Sequence, residues 1–196
     1  MDLAAVGVVV AGYLLGSIDF GVIVPRLRGV DIYSVGSGNP GASNVLRTMG
    51  RSAAAFVILG DAAKGFAAAA LGDLVAGEAA GVAAAFAAVV GHCWPLWHRF
   101  HGGKGVATGG GATFWVAPVL AGALTLAWAL VAGVTRRASV ASLVLVAAYV
   151  PGMALFGHRG WSLVWGGAIA LLILVRHHAN IRRLASGAEH TIGGTA

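Results

Sequence analysis

The chain is poor in charge. Asp, Glu, Lys and Arg make up only 10% of it, where a soluble domain carries about a quarter. Acidic groups are scarcest, seven against thirteen Lys and Arg. Cysteine occurs once, at Cys93, so no internal disulfide can form and the redox compartment stays open. No basic segment is interleaved with aromatics, which speaks against RNA or single-stranded DNA as partner. Asp2 stands where a signal peptide would have a basic region, so the first apolar run reads as a retained helix. Linkers, low-complexity tracts and clear repeats are missing too, and a single domain over 1–196 is expected.

Several catalytic signatures are also missing. The phosphate-loop spacing Gly-x-x-x-x-Gly-Lys-Ser/Thr does not occur. His92, His98 and His101 cluster in sequence, but there is no His-Glu-x-x-His and no Cys/His ligand set, so no metal is expected. Every Asp precedes the first histidine, His92. A His-x-x-x-x-Asp acyltransferase dyad is therefore absent. A Ser-His-Asp triad would need Asp19, Asp31, Asp61 or Asp73 from afar, and no Gly-x-Ser-x-Gly elbow supports one. Acyl transfer, if this is the chemistry, needs a donor that is already activated.

What the chain has in excess is apolar and small residues: 58% hydrophobic, with 31 glycines. Apolar stretches run over 3–25, 53–72, 75–97, 104–117, 119–135, 138–157 and 161–178. They predict an all-α integral membrane protein, a seven-helix transmembrane bundle packed through small residues. Pro118 splits the fourth stretch from the fifth. Residues 104–117 would rise only about 21 Å as a helix, short of a roughly 30 Å hydrocarbon core. Charge placement favours the split. With seven crossings, 11 of the 13 basic residues share one side, in 26–52, 98–104, 136–137 and the C-terminal tail. Arg159 faces the other side with Asp2, Asp73 and Glu78, and Lys64 lies within a helix. The positive-inside rule then puts the N-terminus outside and the C-terminus in the cytoplasm.

Two glycine-rich cationic loops interrupt the apolar pattern. The first runs from Gly36 through Ser37, Gly38, Asn39 and Pro40 to Arg47. Asn39 is expected to cap a helix with Pro40 in its first turn, and Gly50 to end it. The second is Gly102-Gly103-Lys104-Gly105-Val106-Ala107-Thr108, with Thr108 expected one turn past Lys104 on the same face. Glycines let backbone N–H groups converge, a helix start adds its dipole, and Lys or Arg adds full charge, which together cradle an oxyanion. Asp61 and Lys64 are spaced to pair within an apolar helix. Arg176, His177, Asn180 and Arg183 form a basic segment after the last helix, with His177 and Asn180 on one face. Broken helices facing an anion also suit a transporter of phosphorylated metabolites, although no inverted repeat is visible.

These residues resemble the PlsY family of bacterial membrane acyltransferases over most of the chain. Gly16-Ser17-Ile18 with Gly36 to Arg47 looks like the family's first signature, and Asp61-x-x-Lys64-Gly65 follows. Gly91-His92, Pro95, Phe100 and Gly102 to Thr108 look like the second, and Ser139-x-x-Ser142 like a shorter element. Arg176-His177-x-x-Asn180-Ile181-x-Arg183-Leu184 with Gly187-x-Glu189 looks like the third. Asp19, Ser43, Trp94 and His190 depart from it, standing where Pro, Thr, Phe and Pro are usual.

The resemblance implies transfer of a fatty acyl group from acyl-phosphate to the 1-hydroxyl of sn-glycerol 3-phosphate, with lysophosphatidic acid and phosphate as products and no cofactor. It implies a multi-pass protein of the bacterial inner membrane, read as a monomer, with its site facing the cytoplasm. By position, Ser37, Arg47 and Lys104 would contact phosphate, and His177 and Asn180 would lie near the glycerol hydroxyls. Gly38, Asn39, Gly102, Gly103, Gly105 and Thr108 would line the substrates, and Glu189 would order the tail.

Overall fold

The first apolar stretch folds as two helices, α1 (Leu3–Gly16) and α2 (Phe20–Arg26). The Ser17 hydroxyl donates back to the Tyr13 carbonyl at 2.9 Å and accepts the Leu96 N–H at 3.2 Å. A side chain engaged this way competes with the helix ladder, and the chain breaks over Ser17–Asp19. The fold comes from a computed structural model that describes residues 3–192. Asp2, assigned above to the less basic side, lies outside the described residues.

Then come α3 (Ala42–Met49), α4 (Arg51–Ala76), α5 (Glu78–Cys93), a 3-10 turn (Leu96–His98) and α6 (Val106–Val116). They are followed by α7 (Pro118–Thr135), α8 (Ala138–Leu155), α9 (Trp161–Arg176) and α10 (His178–Ala185). Among the described residues there is no strand. Pro118 starts α7 and Gly50 ends α3, as the sequence predicts. The N-cap of α3 is Gly41, not Asn39, and Pro40 stays outside the helix. The reason is local: Gly41 closes back on Asn39 through its own N–H, at 2.8 Å to the Asn39 carbonyl.

Small residues set the packing. A Cβ at Gly12 or Gly16 of α1 would strike the backbone of Ala84 or Ala88 on α5. One at Gly65 or Gly111 would strike Thr108 or Ala62, where α4 crosses α6. One apolar core lies among α5 to α9, around Val89, Ala112, Leu120, Met153 and Ile169. A second joins α2, α3 and α4 around Val22, Ile32, Val45 and Val57. Large apolar side chains such as Phe56, Leu59, Val119, Leu126, Leu130 and Leu171 point outward, as they do where lipid is the solvent.

By length and apolar character five segments can cross a membrane: Leu3–Arg26, Arg51–Ala76, Glu78–His98, Pro118–Thr135 and Ala138–Leu155. The pair α9–α10, bent by 51°, counts as a sixth only if its two helices form one span. The remaining stretch expected to cross, α6, has 11 residues and rises about 16 Å. It is held through α4, not by its own length.

The basic loops gather at one end. Tyr33 donates to the His101 carbonyl, Arg176 to the carbonyls of Gly102 and Gly103, and the Ile192 N–H to the Arg136 carbonyl. At the other end His158 meets Glu78 at 2.9 Å, and Trp115 donates to Asp73 at 2.9 Å.

Candidate active site

Asn44, on the buried face of α3, organises the first loop. Its Oδ1 accepts the Ser37 N–H at 2.9 Å and an Arg47 N–H at 3.3 Å, while its Nδ2 donates to the Val35 carbonyl at 3.0 Å. Gly36 packs so closely on that amide, at φ +57°, that a Cβ would collide with Oδ1. The result presents Ser37, Gly38 and Asn39 on the wall of a cleft of about 290 Å³. The Ser37 hydroxyl bonds to no other described residue.

The second loop forms the opposite wall with Gly102 and Lys104. Arg176 is spent on it: its guanidinium donates to Gly103 and Gly102 at 2.9–3.1 Å and lies over the Trp94 ring at 5.3 Å. That anchors the loop from the end of α9. The glycines here answer a packing demand as well. A Cβ at Gly102 would meet the His92 carbonyl, and one at Gly103 the His92 ring. Gly105 has φ +86°, where an L side chain is strained.

The third wall is α10, through His178, Ala179, Asn180 and Arg183. Glu189 returns from the tail and is buried, taking Asn180 Nδ2 at 2.6 Å and Arg183 Nε at 2.8 Å. Burial works to raise the Glu189 carboxyl, but the donors around it, Asn180 first, hold it below the usual carboxylate range. With Nδ2 committed to Glu189, the Asn180 Oδ1 is left without a partner. It is a buried acceptor at the edge of the cleft, not exposed to it.

Lys104, Arg183, Arg176 and Arg47 feel one another across this space, opposed by Glu189. Burial first, then the repulsion of the three arginines, brings the Lys104 ammonium down to about 8. Four cations against one carboxylate make a site for oxyanions.

The structure therefore brings Ser37, Gly38, Asn39, Gly102, Lys104 and Asn180 to one cleft, with Gly103 and Glu189 bonded to its walls and Arg47 behind the first loop on Asn44. It places three expected residues elsewhere. Gly105 packs behind the loop, where a Cβ would meet Val89. Thr108 is fully buried where α6 crosses α4, and because α6 starts at Val106, Lys104 lies outside the helix and shares no face with it. His177 is buried at the α9–α10 corner. Its Nδ1 donates to the Ile173 carbonyl at 2.8 Å, which fixes the proton there and leaves Nε2 as the free ring nitrogen. Sequence reasoning passed over Tyr33, Asn44 and His101. Only Asn44 had a signal, as the second Asn of the first loop.

Beneath the cleft, Lys64 sits on Asp61 at 2.7 Å, on the Ile18 carbonyl at 2.7 Å and on His92 Nδ1 at 3.0 Å. Asp19, Asp61 and His92 hold ligand-type atoms within 4.8 Å of one another. The Lys64 ammonium already occupies Asp61 and His92, so a lysine is the cation of this cluster.

A helical, lipid-facing fold with an oxyanion cleft at its basic end defines a membrane-embedded protein for phosphorylated ligands. A family model described as glycerol-3-phosphate acyltransferase matches residues 6–187. A glycerol-3-phosphate acyltransferase of Cereibacter sphaeroides is 44% identical over 188 residues, covering 95% of this chain and 89% of that protein. One of Rubrobacter xylanophilus is 42% identical and covers 95% and 94%. The crystal structure of PlsY, an integral membrane glycerol 3-phosphate acyltransferase, in its glycerol 3-phosphate form has a TM-score of 0.92 and 37% identity over 96% of both chains. The chain belongs to the glycerol-3-phosphate acyltransferase family.

Proposed function

We propose that this chain transfers a fatty acyl group from acyl-phosphate to the 1-hydroxyl of sn-glycerol 3-phosphate, the first acylation of bacterial phospholipid synthesis. The hydroxyl oxygen attacks the acyl carbon, the bond from that carbon to the phosphate oxygen breaks, and lysophosphatidic acid and inorganic phosphate leave. A crystal structure of PlsY in its lysophosphatidic acid form is likewise similar, with a TM-score of 0.90 and 36% identity. The observation that carries the reading is that Lys104, Arg176 and Arg183 all line one cleft, opposed by the single carboxylate of Glu189 on Arg183. A single phosphate does not call for so many cations, whereas two phosphates held together do. Catalysis is then positioning and charge stabilisation.

An apolar cavity of about 70 Å³ between α6, α7, α8 and α9, bordered by Val106, Gly109 and Ile173, suits the start of an acyl chain. The hydroxyl proton goes to a phosphate oxygen of the donor. His177 has no carboxylate behind it, only the Ile173 carbonyl, and serves to order the glycerol end with Asn180. The whole chain acts as one membrane domain and a monomer in the inner membrane. It crosses seven times, with the N-terminus outside and the basic end and C-terminus in the cytoplasm.

The test is an assay of detergent-purified protein with glycerol 3-phosphate and palmitoyl phosphate, and palmitoyl-CoA in parallel. Phosphate and lysophosphatidic acid from the acyl-phosphate arm alone are expected. Product from the CoA arm alone overturns the donor, and uptake into vesicles without turnover points to a transporter. In the same assay His177→Gln is expected to keep measurable turnover; complete loss from folded protein makes His177 the base.

A further inference from the structure

The Asp61–Lys64–His92 cluster lies outside the cleft but directly under its second loop. All three side chains are at least nine-tenths buried, at 2%, 5% and 4% exposure. Lys64 donates to the Ile18 carbonyl and to His92 Nδ1, and its charge lies 2.7 Å from Asp61 Oδ1. The ammonium therefore ties the α1 end to α4 and to the last turn of α5. Because Nδ1 of His92 accepts from Lys64, the ring proton sits on Nε2.

That nitrogen faces Gly103, where no Cβ fits. The same residue's carbonyl accepts the Gly103 N–H at 3.1 Å. Gly103 also packs near the Pro40 carbonyl of the first loop, 3.1 Å from where its Cβ would stand. His92 is thus the floor on which the second loop rests, and Lys64 fixes the ring's place.

We propose that Lys64 and His92 are positioning residues for acyl transfer: their cluster sets the height of the Gly102–Lys104 segment, and so where Lys104 meets a substrate phosphate. This rests on the phosphate reading of the cleft. Neither side chain reaches the cleft itself, so both act through the loop. A loop that sags loses contacts made in the bound substrate and in the transition state alike. Such a loss raises KM and leaves kcat nearly unchanged.

His92→Asn keeps an acceptor for Lys64 and removes the ring edge under Gly103. It is expected to raise the KM of one phosphate substrate about tenfold, with kcat within about threefold and Tm close to wild type. His92→Gln, whose amide reaches back toward Gly103, is expected to recover most of that loss. The triple variant Asp19→Asn/Asp61→Asn/Lys64→Met removes the buried carboxylates of the cluster together with the lysine and so leaves none unpaired; it is expected to show the same KM shift. Met153→Ala, in the core of α8 and away from the cluster, serves as the control, with a lower Tm and unchanged KM values.

If the His92 variants instead lose kcat and Tm with both KM values unchanged, the role is structural and the proposal falls. It falls equally if they match wild type in every constant. If the wild type makes no lysophosphatidic acid, the function reading has failed, and calorimetric binding of glycerol 3-phosphate and of palmitoyl phosphate to the same variants decides the positioning claim. Weakened binding of either by His92→Asn sustains it, and unchanged binding of both overturns it.

Discussion

Lys104 is the residue whose protonation the site depends on. Its ammonium, brought to about 8 by burial and then by Arg183, Arg176 and Arg47, is charged at neutral pH and loses its charge just above. A phosphate bound against neutral Lys104 loses an ion pair. The KM of the substrate it holds is expected to rise about tenfold per pH unit above pH about 8, read from a pH profile of kcat/KM. Lys104→Arg, which stays charged, is expected to abolish that alkaline limb. Stability runs the other way. The folded chain binds fewer protons here than the unfolded chain between about 8 and the ordinary 10.5. Thus the cost of holding Lys104 charged is relieved as pH climbs through that window.

Asp19 shows the opposite economy. It is fully buried beside Asp61 and His92, and no side chain hydrogen-bonds its carboxylate. Its φ of −94° must shift by about 15° to enter the proline range, and its N–H donates to no described group. Asp19→Pro is expected to raise stability by roughly 1–2 kcal/mol, through a lost buried charge and a stiffer unfolded chain. Thermal unfolding in detergent checks it.

At the level of elements, the contact that places the second loop's helix is the crossing of α4 and α6. Gly65→Ala would drive a methyl into the Thr108 carbonyl, and neither backbone can yield without moving a helix. A loss of roughly 1–3 kcal/mol is expected, visible as a lower Tm, whereas Gly133→Ala, which meets nothing, is expected to be neutral or stabilising. Elements set by local chemistry were legible in the sequence: Pro118 starts a helix and Gly50 ends one. The break at Ser17–Asp19 was not, because Leu96, far along the chain, supplies its N–H to Ser17. The cap at Asn39 failed for a related reason, since Gly41 turns back on that residue. The cleft was half legible. Ser37, Lys104 and Asn180 stand in dense polar motifs, while Tyr33 and His101 reach the site only by meeting each other across the fold. Thr108 carried a polar label in the right motif, yet its backbone is what α4 needs.

For the molecule as a whole, the gathering of basic loops at one end predicts how it sits in the membrane. Cys93 is buried, so single cysteines introduced at exposed positions report cleanly. Ser186→Cys at the basic end is expected to react with a membrane-impermeant maleimide only from the cytoplasmic side, and Arg159→Cys only from outside. Labelling of both from one side would mean that the segment between them does not cross the membrane.

The Asp61–Lys64 pair also bears on how the chain enters the bilayer. Both charges belong to α4 and lie three residues apart, with 2.7 Å between Nζ and Oδ1. They neutralise each other within one helix, without a partner from any later segment. α4 can therefore leave the insertion machinery as an electrically balanced segment and wait in lipid. The 11-residue α6 needs that waiting partner, for it is too short to hold its depth unaided. The packing is consistent with the short helix docking upon a charged one made before it.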